Sequence, residues 1–259
     1  SRNTPVGLVA SAHYYMDLGY IAKAARLVGN DADAVKYSRL AGEVREAFNR
    51  KYFNASTCDY GTGSQTSNAL PLFLDMVPEG TRDAVLANLI GDIREHGDRL
   101  TTGDVGNRYL FRTLADNGLD SLMYRMHNHY EAPGYGFQLK FGATTLTEQW
   151  DPRQGSSWNH FMMGQIDEWL FRSLVGIQSD PERPGMQHMI IRPSVVGDLS
   201  HVRGKTRTLY GDVTVEWSRA SDGKITCEVA IPANTTADLY LPGDISPRKI
   251  SSGHHIIKN

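Results

Sequence analysis

The 259 residues are enough for one large domain or two ordinary ones with a sizeable core. A formal charge of −2 and a pI near 6.5 leave no basic field for nucleic acid and no polybasic membrane patch, and no apolar run approaches the ~20 residues of a membrane span. Cys58 and Cys227 lie far apart without metal spacing, so both read as free thiols and the compartment stays open.

In chain order, Ser1-Arg2-Asn3-Thr4 shows neither an initiator Met nor a signal-peptide pattern, and a helical register begins within a few residues. The chain therefore reads as a piece of a longer protein. From Val6 to Val28, apolar residues at three-to-four spacing predict a buried helix. Gly29-Asn30-Asp31 stops it, with Asp31 as the expected cap of a second helix over Ala32–Arg50. In that helix Val35, Leu40, Val44 and Phe48 form the expected inward stripe. After a loop over Lys51–Ser64, a third helix is expected from Thr66 to before Pro78. A fourth runs over Thr81–His96, with Val85, Leu86, Leu89, Ile90 and Ile93 inward. A polar loop over Gly97–Asp104 precedes two short helices, Val105–Ala115 and Leu119–His129.

The stretch from Gly142 to His160 is read as a long loop, punctuated by Gly142, Pro152 and Gly155. Long loops inside compact domains are usually functional or disordered, and two tryptophans argue against disorder. A carboxylate among indole rings and amide groups is the composition of a sugar site, where rings stack on the pyranose and polar groups take its hydroxyls. A helix over Trp158–Val175, with Phe161, Ile166, Trp169, Leu170 and Leu174 inward, ends at Gly176.

Consecutive helical hairpins with chemistry in the loops at one end suggest an α/α toroid, of which about half a ring is present. Beyond Gln178 the character changes to short alternating β-branched segments: His188–Pro193, Val213–Trp217, Ile225–Ile231 and Ala237–Leu241. The expected organisation is therefore a helical domain over residues 1–177 and a small antiparallel β-sandwich over 178–259.

Several blocks taken together resemble glycoside hydrolase family 78, the bacterial and fungal α-L-rhamnosidases. Thr101-Thr-Gly-Asp-Val-Gly is similar to its TTG-x-x-G block, and Leu114-Ala-Asp-Asn-Gly to the L-x-D-N-G that follows. Gly142-Ala-Thr-Thr-Leu-Thr-Glu-Gln-Trp-Asp resembles GATT-x-x-E-x-W-D, and Ser157-Trp-Asn-His with Gly164 and Glu168-Trp169 resembles S-x-N-H. The segments Pro184–Pro193 and Ile231–Ala237 look like the family's terminal β domain. Order and spacing, more than any single block, make the match specific.

The resemblance implies the second half of an (α/α)₆ catalytic barrel followed by a C-terminal β-sandwich. It also implies an inverting hydrolase that removes terminal α-L-rhamnosyl residues from a glycan or glycoside, without a cofactor. Glu148 occupies the position of the family's general base and His160 that of a histidine contacting the sugar in the first subsite. Trp150 stands as a stacking partner for the ring. The residue before the glutamate, often Trp in the family, is Thr147 here. Asp151 joins the substrate-binding set, as a group that either orients Glu148 or caps a turn before Pro152. The block carrying the general acid, in the barrel's first half, has no counterpart in this chain, so the chain alone is expected to be inactive and to expose an apolar seam.

Bland readings stand beside these. Trp158 reads first as a core residue, Asp104 as a helix cap, Glu131 as a structural carboxylate and His254-His255 as surface. His127-x-His129-x-Glu131 has no evident further ligand, so no metal is expected. Ser156-Ser157 with His160 lacks a triad acid in recognisable order, which disfavours a serine hydrolase. Two rivals remain: another inverting α/α-toroid enzyme, trehalase-like or phosphorolytic, and a non-catalytic carbohydrate-binding module.

Overall fold

The computed structural model describes residues 3–259; Ser1 and Arg2, which open the chain, lie outside the described residues. The chain divides into two compact units. The first takes in the chain through Asn117 together with Met126–Met163, and the second Gly118–Arg125 with Gly164–Asn259.

The first unit is helical. Helix α1 (Val6–Leu27) and α2 (Asp31–Tyr52) form a hairpin. The second helix is capped by Asn30, whose side chain accepts the Asp33 N–H, and not by Asp31 as expected. Its buried stripe runs through Ala34, Ala41 and Phe48, while Val35 is 68% exposed. Alanines on both helices (Ala12, Ala22 and Ala25 on α1) bring the axes together, and this rotates the stripe away from the larger residues.

A two-residue hairpin, β1 (Phe53–Asn54) and β2 (Asp59–Tyr60), interrupts the expected loop. Helices α3 (Gln65–Phe73), α4 (Arg82–Glu95) and α5 (Asp104–Asp116) follow. α4 buries Val85, Leu89 and Ile93, one face at every fourth position, as its periodicity predicts. Both α3 and α5 are buried on several sides and pack together, with the Thr113 hydroxyl donating to the Ala69 carbonyl at 3.1 Å. Helix α6 spans Asp120–His127, and α7 spans Tyr135–Lys140.

The second unit contains the start of α6, α8 (Gln165–Trp169), a π-helical turn over Leu170–Val175 and a six-stranded sheet. The expected helix from Trp158 begins only at Gln165, after an isolated 3₁₀ turn over Phe161–Met163. Phe161 is 85% exposed instead of inward. Asp120 joins the pieces: one oxygen accepts the Trp169 indole N–H at 2.7 Å and the other the Ser194 hydroxyl at 2.6 Å. Gly176 ends the helical run at φ 87°, and a Cβ there would lie 2.3 Å from the Pro193 nitrogen.

The strands are β3 (Ile177–Ser179), β4 (His188–Ile191), β5 (His201–Thr208), β6 (Gly211–Arg219), β7 (Ile225–Leu239) and β8 (Arg248–Lys258). Their order is β3-β4-β7-β6-β5, with β8 paired to β7. One pair departs from the expected antiparallel pattern: β4 runs parallel to β7, because the chain between them is spent on the β5–β6 hairpin. The two short strands read at 225–231 and 237–241 are mostly one long strand, β7, with a register break between Ile231 and Thr236. Met189 and Ile191 of β4, Val213, Val215 and Trp217 of β6, and Cys227, Val229 and Leu239 of β7 fill one core. Strict alternation along β6 puts every second residue inside.

Candidate active site

Glu148, Trp150, Asp151 and His160 lie in the first unit, on the connection from Gly142 to His160. That connection is not a free loop. The Glu148 N–H donates to the Ser157 carbonyl at 2.9 Å and the His160 N–H to the Leu146 carbonyl at 2.9 Å, so its two ends pair as a short stem. The Thr145 hydroxyl also donates to the Trp158 carbonyl. Committing these backbone groups to the stem is what keeps residues 158–160 out of a helix.

Glu148 is half-buried on this stem, and its carboxylate accepts the Ser157 N–H at 3.4 Å. Thr147, where the family often has Trp, is fully buried and turns its hydroxyl to the Gln149 carbonyl at 2.7 Å. It braces the stem and presents no ring. Asp151 accepts both the backbone and side-chain N–H groups of Arg153, with bonds of 2.8–3.0 Å, and caps the 3₁₀ turn over Pro152–Gln154. The Arg153 guanidinium holds its carboxyl below the ordinary aspartate range. Of the two roles left open for Asp151, the turn cap is the one in place.

The facing segment, just before α5, is held from beneath. Gln65 of α3, fully buried, donates to the Arg99 carbonyl and accepts the Thr101 N–H, both at 2.9 Å. The Thr102 hydroxyl donates to the Asn107 amide oxygen at 2.6 Å. Gly106 lets α5 approach α3 closely, since a Cβ there would meet the Thr66 hydroxyl at 2.2 Å.

Two side chains bring loop and segment together. The Trp150 indole N–H donates to the Thr102 carbonyl at 2.9 Å, and its ring meets Tyr135 edge-on at 5.1 Å. Nε2 of His160 lies 3.5 Å from an Asp104 carboxylate oxygen. Asp104 was read as a cap, yet Gly103 holds the cap position and Asp104 opens the helix itself. A cleft of about 560 Å³ opens between the first turns of α1 and Thr101–Gly106, with Asp104 in its wall.

Other marked residues go elsewhere. Trp158 is 42% exposed, contrary to the core reading, with its indole N–H on the Pro152 carbonyl at 3.2 Å. Glu131 pairs with Arg99 at 2.5 Å. His127 packs against Phe111 and Tyr135 while a His129 ring nitrogen sits 2.8 Å from the Met126 carbonyl, so the histidines and Glu131 face separate partners. Gln65 and Gln138 were not singled out in the sequence; a buried glutamine carries no motif.

Residues 1–174 match the family model for the bacterial α-L-rhamnosidase six-hairpin glycosidase domain, and residues 176–255 that for the bacterial α-L-rhamnosidase C-terminal domain. The chain belongs to the bacterial α-L-rhamnosidase family. It is 30% identical over 264 residues to an α-L-rhamnosidase of Streptomyces avermitilis, an alignment covering 98% of this chain and 25% of that protein. It superposes on the α-L-rhamnosidase of Dictyoglumus thermophilum with a TM-score of 0.88 at 29% identity, over 95% of this chain and 31% of that one. On the crystal structure of the Streptomyces avermitilis α-L-rhamnosidase complexed with L-rhamnose the TM-score is 0.90 at 26% identity, over 99% and 27%. The chain thus spans about a quarter of the length of the curated rhamnosidases it matches.

Proposed function

We propose that this chain is the base-bearing part of an inverting α-L-rhamnosidase, acting on terminal α-linked L-rhamnose of a glycan or glycoside. Glu148 is the general base that takes a proton from the attacking water. His160 and Trp150 contact the sugar, and Asp151 stiffens the loop that carries them. The proton donor lies in a part of the protein outside this chain. Inversion needs the two carboxyls about 6.5–9.5 Å apart, with the water between Glu148 and the anomeric carbon. The family membership supports the substrate class.

The observation that supports the residue assignment is the anchoring of Glu148. Its backbone is tied into the stem and its carboxylate accepts the Ser157 N–H. That leaves the second carboxylate oxygen to accept from water, on a backbone that is held in place. In the full-length enzyme, Glu148→Gln should lower turnover of an aryl α-L-rhamnoside by at least about a hundredfold with a modest change in KM. Proton NMR of the wild-type reaction should find β-rhamnose as first product. Full turnover by the variant, or retention of the α anomer, overturns the reading. The chain alone, lacking a donor, should not turn over substrate.

A further inference from the structure

The backbone on either side of Glu148 is held by one side chain. The Gln138 amide nitrogen, on α7, donates to the Thr147 carbonyl at 3.2 Å and to the Gln149 carbonyl at 3.4 Å, the residues immediately before and after Glu148. Gln138 is only 3% exposed. A buried amide takes such partners because leaving them unmade costs its full desolvation. The Thr147 hydroxyl adds a bond to the same Gln149 carbonyl. With both neighbouring carbonyls drawn to one nitrogen, the direction of the Glu148 Cα–Cβ bond is largely fixed.

The helix that supplies Gln138 is itself tied to the loop. The Tyr135 hydroxyl donates to the Met163 carbonyl at 2.6 Å, just past the far end of the stem, and its ring packs edge-on against Trp150. α7 therefore reaches the connection at Trp150, at Met163 and, through Gln138, at the residues bracketing Glu148. A reacting carboxylate displaced by about 1 Å can lose roughly a hundredfold in rate. A bracket of this kind is therefore worth most in the transition state.

We propose that Gln138 is a positioning residue for the general base: its amide clamps the two carbonyls around Glu148 and so aims that carboxylate at the nucleophilic water. This rests on the base role proposed above for Glu148.

The test uses the full-length enzyme with two variants of similar volume. Gln138→Met removes the amide; Gln138→Glu sets an acceptor oxygen against two carbonyls unless it is protonated. The expected result for Gln138→Met is a loss of kcat of about ten- to a hundredfold with KM within about twofold, because aim and not binding is lost. Gln138→Glu should regain turnover relative to wild type as pH falls, since its protonated acid again donates to a carbonyl, and lose it as pH rises. A group that only fills space would leave the pH profile unaltered. Wild-type kcat in folded Gln138→Met overturns the proposal. If that variant does not fold, a Gln138→Glu profile parallel to wild type overturns it. Activity surviving in Glu148→Gln would instead sink the base assignment, whereas an inactive Glu148→Gln beside a fully active Gln138→Met sinks this inference alone.

Discussion

Asp104 and His160, 56 residues apart in sequence, face one another: a carboxylate oxygen lies 3.5 Å from the histidine Nε2, while the other oxygen accepts the Val105 N–H at 2.9 Å. Nε2 is buried and has no aligned hydrogen-bond partner, and this carboxylate is the charged group facing it. If His160 contacts the sugar as proposed, this carboxylate helps to hold its ring for that contact. Replacing Asp104 by Asn in the full-length enzyme should weaken rhamnoside binding by about fivefold, the worth of one net hydrogen bond of ~1 kcal/mol. Steady-state kinetics should place that loss in KM, with kcat largely kept. A change below twofold would separate Asp104 from His160.

Acid should act on the first unit through His127. Burial, and secondarily the nearby His129, hold its pKa down at about 3, against 6.5 for an ordinary histidine. The unfolded chain therefore takes up this proton first. The group costs nothing above its unfolded pKa, and stability is lost as pH falls from 6.5 toward 3, by up to about 1.4 kcal/mol per pH unit. His127→Phe, set among Phe111 and Tyr135, removes the titration. Urea unfolding near pH 7 and near pH 4.5 should find a smaller drop for the variant. An equal drop in both would acquit His127.

The two thiols should separate cleanly. Cys227 is fully buried in the sheet core, and burial pushes its thiol up to about 12, so it is protonated at any ordinary pH. Cys58 is half-buried in the turn between β1 and β2. Iodoacetamide at mildly alkaline pH should modify Cys58 alone in the folded chain and both after denaturation, as read by peptide mapping. Early labelling of Cys227 would mean that the core opens readily.

Gly176→Ala should be among the most damaging single-methyl additions. The residue sits at φ 87° with Pro193 and Arg192 backbone atoms 2.3–2.6 Å from where a Cβ would go. About 1–2 kcal/mol of left-handed backbone cost and about 1–3 of overpacking give a loss of roughly 2–5 kcal/mol. Chemical denaturation monitored through Trp217, whose indole N–H bonds the Leu174 carbonyl at 2.7 Å, would report it.

The long amphipathic helices were legible because their apolar residues recur on one face: α1 and α4 end within a residue or two of their expected limits. α7 was not, because Ala132-Pro-Gly-Tyr-Gly reads as turn and six residues hold no full stripe. The helix expected from Trp158 failed for a non-local reason. Its first backbone groups are taken by residues 145–148: the Ser157 and Trp158 carbonyls accept from Glu148 and Thr145, and the His160 N–H donates to the Leu146 carbonyl, a pairing no window around Trp158 contains. Glu148 and His160 are proposed from an ordered block of residues, and Trp150 with them. Gln65, Gln138 and the Asp104–His160 pair escaped because their meaning lies in what they touch. Buried amides holding backbone carbonyls leave no trace in spacing.

Strand β7 pairs with β8 on both sides of its register break, while β6 flanks its first part and β4 its last. Both ends of the sheet are therefore joined through this one strand. Its inner amides should exchange with solvent at one common rate, so a lesion at either end is felt at the other.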